Sequence, residues 1–546
     1  MTANDPASAS GRRLLFRAAL LGTVLLSVIP ALLVRIPPML DYPNHYVRLW
    51  LITGGAALPP LSRMYAVDWS GASTNIAIDL VAWALGGLAP VGVIGPLVLM
   101  LAIALPPLGI ALLGRRLFPT PSGSGHWWHL LCFLLAWNWV LIAGYLNFEI
   151  SLGLALCGAA LDAGLARHGY RALAPLRIVT GGIVLIAHPF GFVFYAALLG
   201  GLALGASFAP LRGASGLRRA LVRLVLAALP VAVPFVLLVL FAPTLPGGHG
   251  GHHPGTIVWQ EPSLSAHVSV LLTGIKTYRF SIDALFGLLL ALPAFIALLQ
   301  RRLRVHAGLL IVAITLTIVS LLMPRLIFGI AGVDTRVPCM VALAFAVAVL
   351  PDMRLSRRAI MVATVACMAV VGARSAWIGH VWLDRQPDFA SLGRALSHVP
   401  AGAAVLPLEH LPSTAQIAQA PTGRFLGNNP LFWHYPTLAV MDRRAFVPTL
   451  FTAAGEQPIR VLPPWDAISI AAGQPEAIDR LGDPSAKMAS YVKRWRECFD
   501  YILVVNADMP NAGGPLPASP AIVPIADEGF ARLYRIVRPD TGHACR

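Results

Sequence analysis

Asp41 stands just beyond the first long apolar run, in the segment Pro37-Pro38-Met39-Leu40-Asp41-Tyr42-Pro43-Asn44-His45. A carboxylate at the edge of a hydrocarbon layer is costly to desolvate, and such groups are functional candidates. Its chemistry would be proton acceptance, because desolvation favours the protonated carboxyl and so makes the carboxylate a better base. The alternative reading is a helix-capping Asp in an interfacial loop. Asp68, in Tyr65-Ala66-Val67-Asp68-Trp69, is a second acid within reach of the same surface, or a partner for Arg48 or Arg63. His45 and Arg48 follow Asp41 closely enough to bind the same substrate. Asp79 is read as a structural contact near Asn75, one helical turn away. Glu149 and Asn147 follow a turn at Gly144 and could line one cavity.

A different chemistry belongs to Lys276, Arg279, Arg325 and Arg336. They are cations in segments that otherwise carry few. Guanidinium pairs bidentately with phosphate oxygens, so a phosphate headgroup is a natural ligand. Asp283 and Asp334 are the competing partners. His188, at a His188-Pro189 turn between apolar arms, is either a ligand group or a satisfied structural histidine. His249, His252 and His253 with Glu261 have metal-ligand chemistry, but the glycines around them supply no rigid support. A flexible loop is the reading preferred there, and no metal site is assigned. No Walker loop, Rossmann glycine motif, HExxH or GxSxG is present.

The elements that must position these residues are membrane spans. The 546-residue chain is 57% hydrophobic and only 12% charged, against about a quarter charged in soluble proteins. Its net charge of +16 does not mark a nucleic-acid surface, since the cations sit at the ends of apolar runs. Eleven runs qualify, counting short ones: Leu14–Val34, Pro90–Leu113, Trp127–Ala143, Phe148–Ala166, Ile178–Ala187, Gly191–Phe208, Leu221–Phe241, Ala284–Leu299, Ala307–Met323, Val337–Leu350 and Ala359–Ile378. The first is read as a retained helix, not a cleaved leader.

Arginine clusters set the expected sidedness. Arg12-Arg13, Arg115-Arg116, Arg167/Arg171/Arg177, Arg212/Arg218/Arg219/Arg223, Arg301/Arg302/Arg304 and Arg354/Arg357/Arg358 place seventeen cations inside. The longer segments between hold eight. The positive-inside bias then puts the N-terminus in the cytoplasm and loop 36–89 outside. Arg177 and Arg212 both lie inside, so Ile178–Phe208 is a hairpin of two short arms broken at Pro189. Thr74–Leu88 is too short to span and is read as an interfacial helix.

Beyond Ile378 no run could span. Residues 379–546 are read as an outer α/β domain, with β-like runs at Ala404–Leu408, Thr437–Val440, Tyr501–Val505 and Leu533–Val537, and helices at Asp388–Ser397 and Ala486–Glu497. Residues 1–378 form the membrane domain. Cys498 and Cys545 could pair; the other four cysteines lie in apolar runs.

A first span followed at once by Asp, a long outer loop, a second span ending in Gly114-Arg115-Arg116-Leu117-Phe118, many further spans and an outer α/β domain resembles the GT-C superfamily of membrane glycosyltransferases. The Asp41–His45 segment also resembles a DYPNH motif after the first helix of a set of bacterial membrane proteins. The resemblance covers most of residues 1–376. It implies an all-α bundle of about eleven transmembrane helices in a bacterial inner membrane, with a periplasmic C-terminal domain. It implies sugar transfer from a polyprenyl-phosphate carrier to a periplasmic glycan, lipid or protein acceptor. Asp41 would be the general base, and Asp68 the looser match to a second acid. His45, Arg48, His188, Lys276, Arg279, Arg325 and Arg336 would bind substrate and carrier phosphate. The family's paired acidic motif is absent here, because Tyr42 follows Asp41. That absence weakens the case for a second acid and for a divalent metal, the one candidate cofactor, and nothing in the sequence requires the metal. A transporter or flippase, or a non-catalytic assembly protein, are the alternative readings. A transporter should show repeats and mid-membrane polar helix breaks, and no repeat is visible.

Overall fold

Each of the eleven apolar runs falls at least in part on helix in the computed structural model, which describes residues 6–119, 127–206, 214–242, 257–259, 263–327, 330–353, 355–471, 473, 475–483, 490–538 and 545. The helices used below are α1 (Pro6–Val28), α2 (Tyr42–Ile52), α3 (Ala77–Leu85), α4 (Val91–Leu117), α5 (Leu146–Leu165), α6 (Tyr170–Ala187), α7 (Pro189–Gly205), α8 (Ala214–Phe241), α9 (Phe280–Leu299), α10 (Ala307–Leu321), α11 (Val333–Ala348), α12 (Arg357–Asp384) and α13 (Gln386–Leu396). Among the described residues, six helical segments are long and apolar enough to cross a membrane, those beginning at Val91, Leu146, Tyr170, Gly216, Phe280 and Arg357. The predicted spans beginning at Leu14, Trp127, Gly191 and Ala307 fall on shorter apolar helices, and Val337–Leu350 falls mostly on α11.

The described residues divide into two compact units. One gathers the helices of Met1–Leu33, Val98–Ala242 and His252–Gly379; the other joins Val34–Leu97 to His380–Arg546. The loop after the first apolar run, residues 36–89, therefore clusters with the C-terminal segment.

In the helical unit the core is built from Leu, Phe, Trp and Val side chains of α5, α7, α10 and α11 and of the segment following Trp127. Helices α7 and α10 approach through glycine. A Cβ on Gly308 would lie 1.9 Å from the Gly201 carbonyl oxygen, so backbones meet where a side chain would stand. Three expectations change here. The predicted arm Ile178–Ala187 is only part of α6, which starts at Tyr170 and runs 18 residues, about 27 Å. Arg177 does not end it, because its guanidinium is paired at 2.6 Å with Asp162 of α5. The predicted span Trp127–Ala143 is broken into Trp127–Leu131, a 3-10 stretch Cys132–Ala136 and Trp139–Ile142. Asn138 caused the break: its side chain caps the new turn by accepting from Leu141 N–H. The arms of the hairpin are thus full helices, and the third run is irregular but buried.

The other unit centres on a five-stranded sheet. Its strands are β2 (Val405–Glu409), β4 (Glu476–Ala477), β5 (Tyr501–Val505), β6 (Ile522–Asp527) and β7 (Ala531–Ile536), in the order β4-β2-β5-β7-β6. The first three are mutually parallel and β6-β7 is an antiparallel hairpin. A separate two-stranded ladder pairs β1 (Tyr65–Val67), from the first loop, with β3 (Ile459–Val461). Strands were correctly expected near 405, 501 and 533. Thr437–Val440 instead forms a 3-10 turn and the helix Leu438–Arg443, since a four-residue apolar run has no period to separate strand from helix. Helix α13 matches Asp388–Ser397. The predicted helix Ala486–Glu497 is seen as two single turns, Ser490–Lys493 and Trp495–Cys498, its first residues lying outside the described set. Cys498 and Cys545 are joined by a disulfide.

Candidate active site

Pro43 at the second helical position presets the backbone for α2, so the chain turns into helix immediately after Asp41. Asp41 occupies the N-cap position, yet its side chain makes no capping hydrogen bond. The carboxylate, 14% exposed, faces His434 instead, with Oδ1 3.5 Å from Nε2. Asn44, one turn along and fully buried, ties the same region together. Its Oδ1 accepts from Phe451 N–H at 2.9 Å, and its Nδ2 lies 3.0 Å from the Thr449 carbonyl and 3.3 Å from His434 Nδ1. The Phe451 ring packs edge-on against both His434 and His45. Burial holds the His434 imidazole neutral, pushing its pKa down to about 3. The result is a nearly buried carboxylate beside a neutral imidazole, an arrangement suited to accepting a proton.

Arg48 is not available to a substrate. It forms a bidentate pair with Asp79, Nε to Oδ1 at 2.7 Å and a second bond at 3.0 Å, with neither side chain exposed. The expected substrate contact is corrected accordingly: Arg48 pins α2 to α3. Asp79 is structural, but through Arg48. Asn75 lies before α3 in the left-handed region, at φ 63°, so it is not on a helical turn with Asp79. Asp68 pairs with neither Arg48 nor Arg63. It caps a 3-10 turn by accepting from the Ser70 N–H and hydroxyl, and meets Arg460 at 3.7 Å. The Ser70 bonds hold its carboxyl below the ordinary value.

In the helical unit a second set assembles. His188 caps α7, its Nδ1 accepting from Phe190 N–H at 3.1 Å, and its ring packs on Phe148. The Arg336 guanidinium lies 4.4 Å over the Tyr145 ring and 5.6 Å over Phe190. His188 and Arg336 are thus brought to one aromatic neighbourhood. Glu149, 2% exposed on the first turn of α5, has one oxygen without a hydrogen-bond partner. Lys276 sits 5.1 Å over Trp139. Asp283 is held by the Thr277 N–H and hydroxyl and by Arg374 at 3.5 Å, and it also interacts electrostatically with Lys276. Arg279 and Arg325 are exposed. His249, His252, His253 and Glu261 lie outside the described residues, and among the described residues no three metal-ligating side chains cluster.

The residue the sequence did not flag is His434. It is 390 residues from Asn44, its hydrogen-bond neighbour, so no local spacing joins it to Asp41. The only signal was a histidine among aromatics in Phe432-Trp433-His434-Tyr435.

Most of the chain aligns with the crystal structure of ArnT from Cupriavidus metallidurans in the apo state. The TM-score is 0.50 at 13% sequence identity, over 96% of this chain and 98% of that one. That likeness is one of fold. With six helices among the described residues long and apolar enough to span, the chain is a multi-pass membrane protein. No protein-family model and no curated protein matches the sequence.

Proposed function

We propose that this chain is a membrane glycosyltransferase. It moves a sugar from a polyprenyl-phosphate carrier to an acceptor hydroxyl of a glycan, lipid or protein outside the cytoplasm. Asp41 takes the acceptor proton. The acceptor oxygen then attacks the anomeric carbon, and the bond to the carrier phosphate breaks with its electron pair leaving on phosphate. The carrier is already activated, so no nucleotide fold is needed. The developing phosphate charge calls for cations, and Lys276, Arg279, Arg325 and Arg336 are assigned to it, with His188 and His45 as further substrate contacts. Orientation in a bacterial inner membrane follows the arginine asymmetry, with the N-terminus in the cytoplasm and residues 379–546 outside.

One observation carries this reading: the Asp41 carboxylate, 14% exposed, faces His434, which Asn44 contacts from its other ring nitrogen, and makes no cap to its own helix. The test uses the full chain in nanodiscs and a panel of undecaprenyl-phosphate-linked hexoses and pentoses, reading release of undecaprenyl phosphate. Asp41→Asn is expected to lose roughly 10²- to 10⁴-fold in rate, the usual contribution of a general base. Turnover undiminished in Asp41→Asn overturns the assignment.

A further inference from the structure

We propose that His434, contributed by the C-terminal segment, is a positioning residue for Asp41, acting as a neutral donor whose tautomer Asn44 fixes. The inference rests on Asp41 being the base. The amide of Asn44 has one orientation available. Its Oδ1 accepts from the Phe451 backbone, so the NH2 must face the other two neighbours, the Thr449 carbonyl and His434 Nδ1. An amide NH2 has two protons, and those two acceptors use both. His434 Nδ1 is therefore the lone-pair nitrogen. In a neutral ring the proton then sits on Nε2, the atom that points at Asp41 Oδ1 across 3.5 Å. Contacts of this length in a ligand-free site shorten when substrate closes the geometry.

Chemistry explains why a neutral donor suits the task. A carboxylate needs at least one fixed hydrogen bond to hold its rotamer and present an oxygen to the acceptor. A guanidinium in that place would fix it equally well but would bind the charged form so strongly that basicity falls. Imidazole N–H orients with far less cost to proton affinity. His434 is 5% exposed and flanked by the Phe451 ring at 4.7 Å, which excludes water and keeps the ring from charging. The C-terminal segment then completes the site from which the first loop supplies the base.

Two substitutions separate positioning from packing. His434→Phe keeps an aromatic volume and removes both polar contacts. His434→Gln keeps them, because its amide can accept from Asn44 and donate to Asp41. With the nanodisc assay, His434→Phe is expected to lower kcat about 10- to 100-fold with KM within about threefold, and His434→Gln to recover most of it. Equal losses in both, or none in His434→Phe, overturn the proposal. A second readout needs no turnover. In histidine-15N-labelled full chain, the resonances missing from His434→Gln belong to His434. They should report a neutral ring protonated at Nε2, and the Nε2 signal should move in Asp41→Asn. An Nδ1-protonated ring, an imidazolium at pH 7, or a signal indifferent to Asp41→Asn overturns the pairing. Wild-type chain that releases no undecaprenyl phosphate from any donor defeats the enzymatic reading alone, and the nitrogen resonances still decide whether His434 serves Asp41.

Discussion

His434 and Glu409 are buried titratable groups in the same unit that bias stability in opposite pH directions. Glu409 ends β2 at 3% exposure, and both its oxygens accept from the Trp433 indole N–H, at 3.1 and 3.0 Å. Burial lifts its carboxyl from the ordinary 4.5 to about 8, despite the indole bond. The folded chain therefore binds its proton more tightly than the unfolded chain does. That contribution is fully present below about pH 4.5 and is lost as pH rises through about 8. His434 runs the other way. Its folded value of about 3 lies below the ordinary 6.5, so its contribution is present above pH 6.5 and is lost as pH falls toward 3. Thermal unfolding in detergent from pH 4 to 9 should show a maximum in between. Glu409→Gln, which keeps an acceptor for Trp433, should flatten the alkaline slope. His434→Gln should flatten part of the acid slope, by an amount on the order of 1 kcal/mol or more per pKa unit released. Unchanged slopes in both variants would show that burial does not control these two groups.

Helix α2 displays what a sequence can and cannot reveal about an element. The Asp41–His45 segment stood out as a candidate site because a carboxylate beside an apolar run is chemically unusual. Arg48, one turn further, read as a second ligand group because sequence alone does not show which face of a helix is buried. Its partner Asp79 lies 31 residues away on α3, and only packing brings them together. A pair with no exposed surface on either side is strongly asymmetric in its energetics. Removing one partner leaves an uncompensated buried charge, at a cost of about 3–5 kcal/mol, whereas replacing both with apolar residues of similar volume is near neutral. Asp79→Leu should thus destabilise far more than the double variant Arg48→Met with Asp79→Leu, measured by denaturant or thermal unfolding. A single variant no worse than the double would mean the pair is not desolvated. The glycine contact between α7 and α10 was invisible for a related reason: Gly201 and Gly308 are unremarkable in sequence, and their meaning is a backbone-to-backbone approach. Gly308→Leu should lower thermal stability in detergent, and a neutral outcome would show that the two helices can separate without loss.

At the scale of the whole chain, the alternation of apolar runs and arginine clusters was legible because the bilayer imposes it residue by residue. The association of the first loop with the C-terminal segment was not, because β1 is only three residues long and its partner β3 begins almost four hundred residues later. That pairing changes what truncation means. A chain ending at Gly379 would retain the membrane helices but strip the first loop of its strand partner and of His434, Thr449 and Phe451. Side chains buried in the intact unit, such as Tyr42, Asn44 and Tyr65, would then meet water. Limited proteolysis should cut residues 36–89 in the truncated chain and spare them in the full chain, and loop protection that survives truncation would show that the loop orders itself without the C-terminal segment. Sidedness is a separate matter with its own measurement. The four free cysteines are buried or half-buried in apolar helices, so a thiol placed by Gly250→Cys would stand out to a membrane-impermeant maleimide. Positive-inside bias predicts labelling of intact cells from outside, since it assigns the six arginine clusters of the opposite loops to the cytoplasm. Reaction only after the membrane is opened would invert the topology and place Asp41 on the cytoplasmic face, where a carrier delivered outside could not reach it.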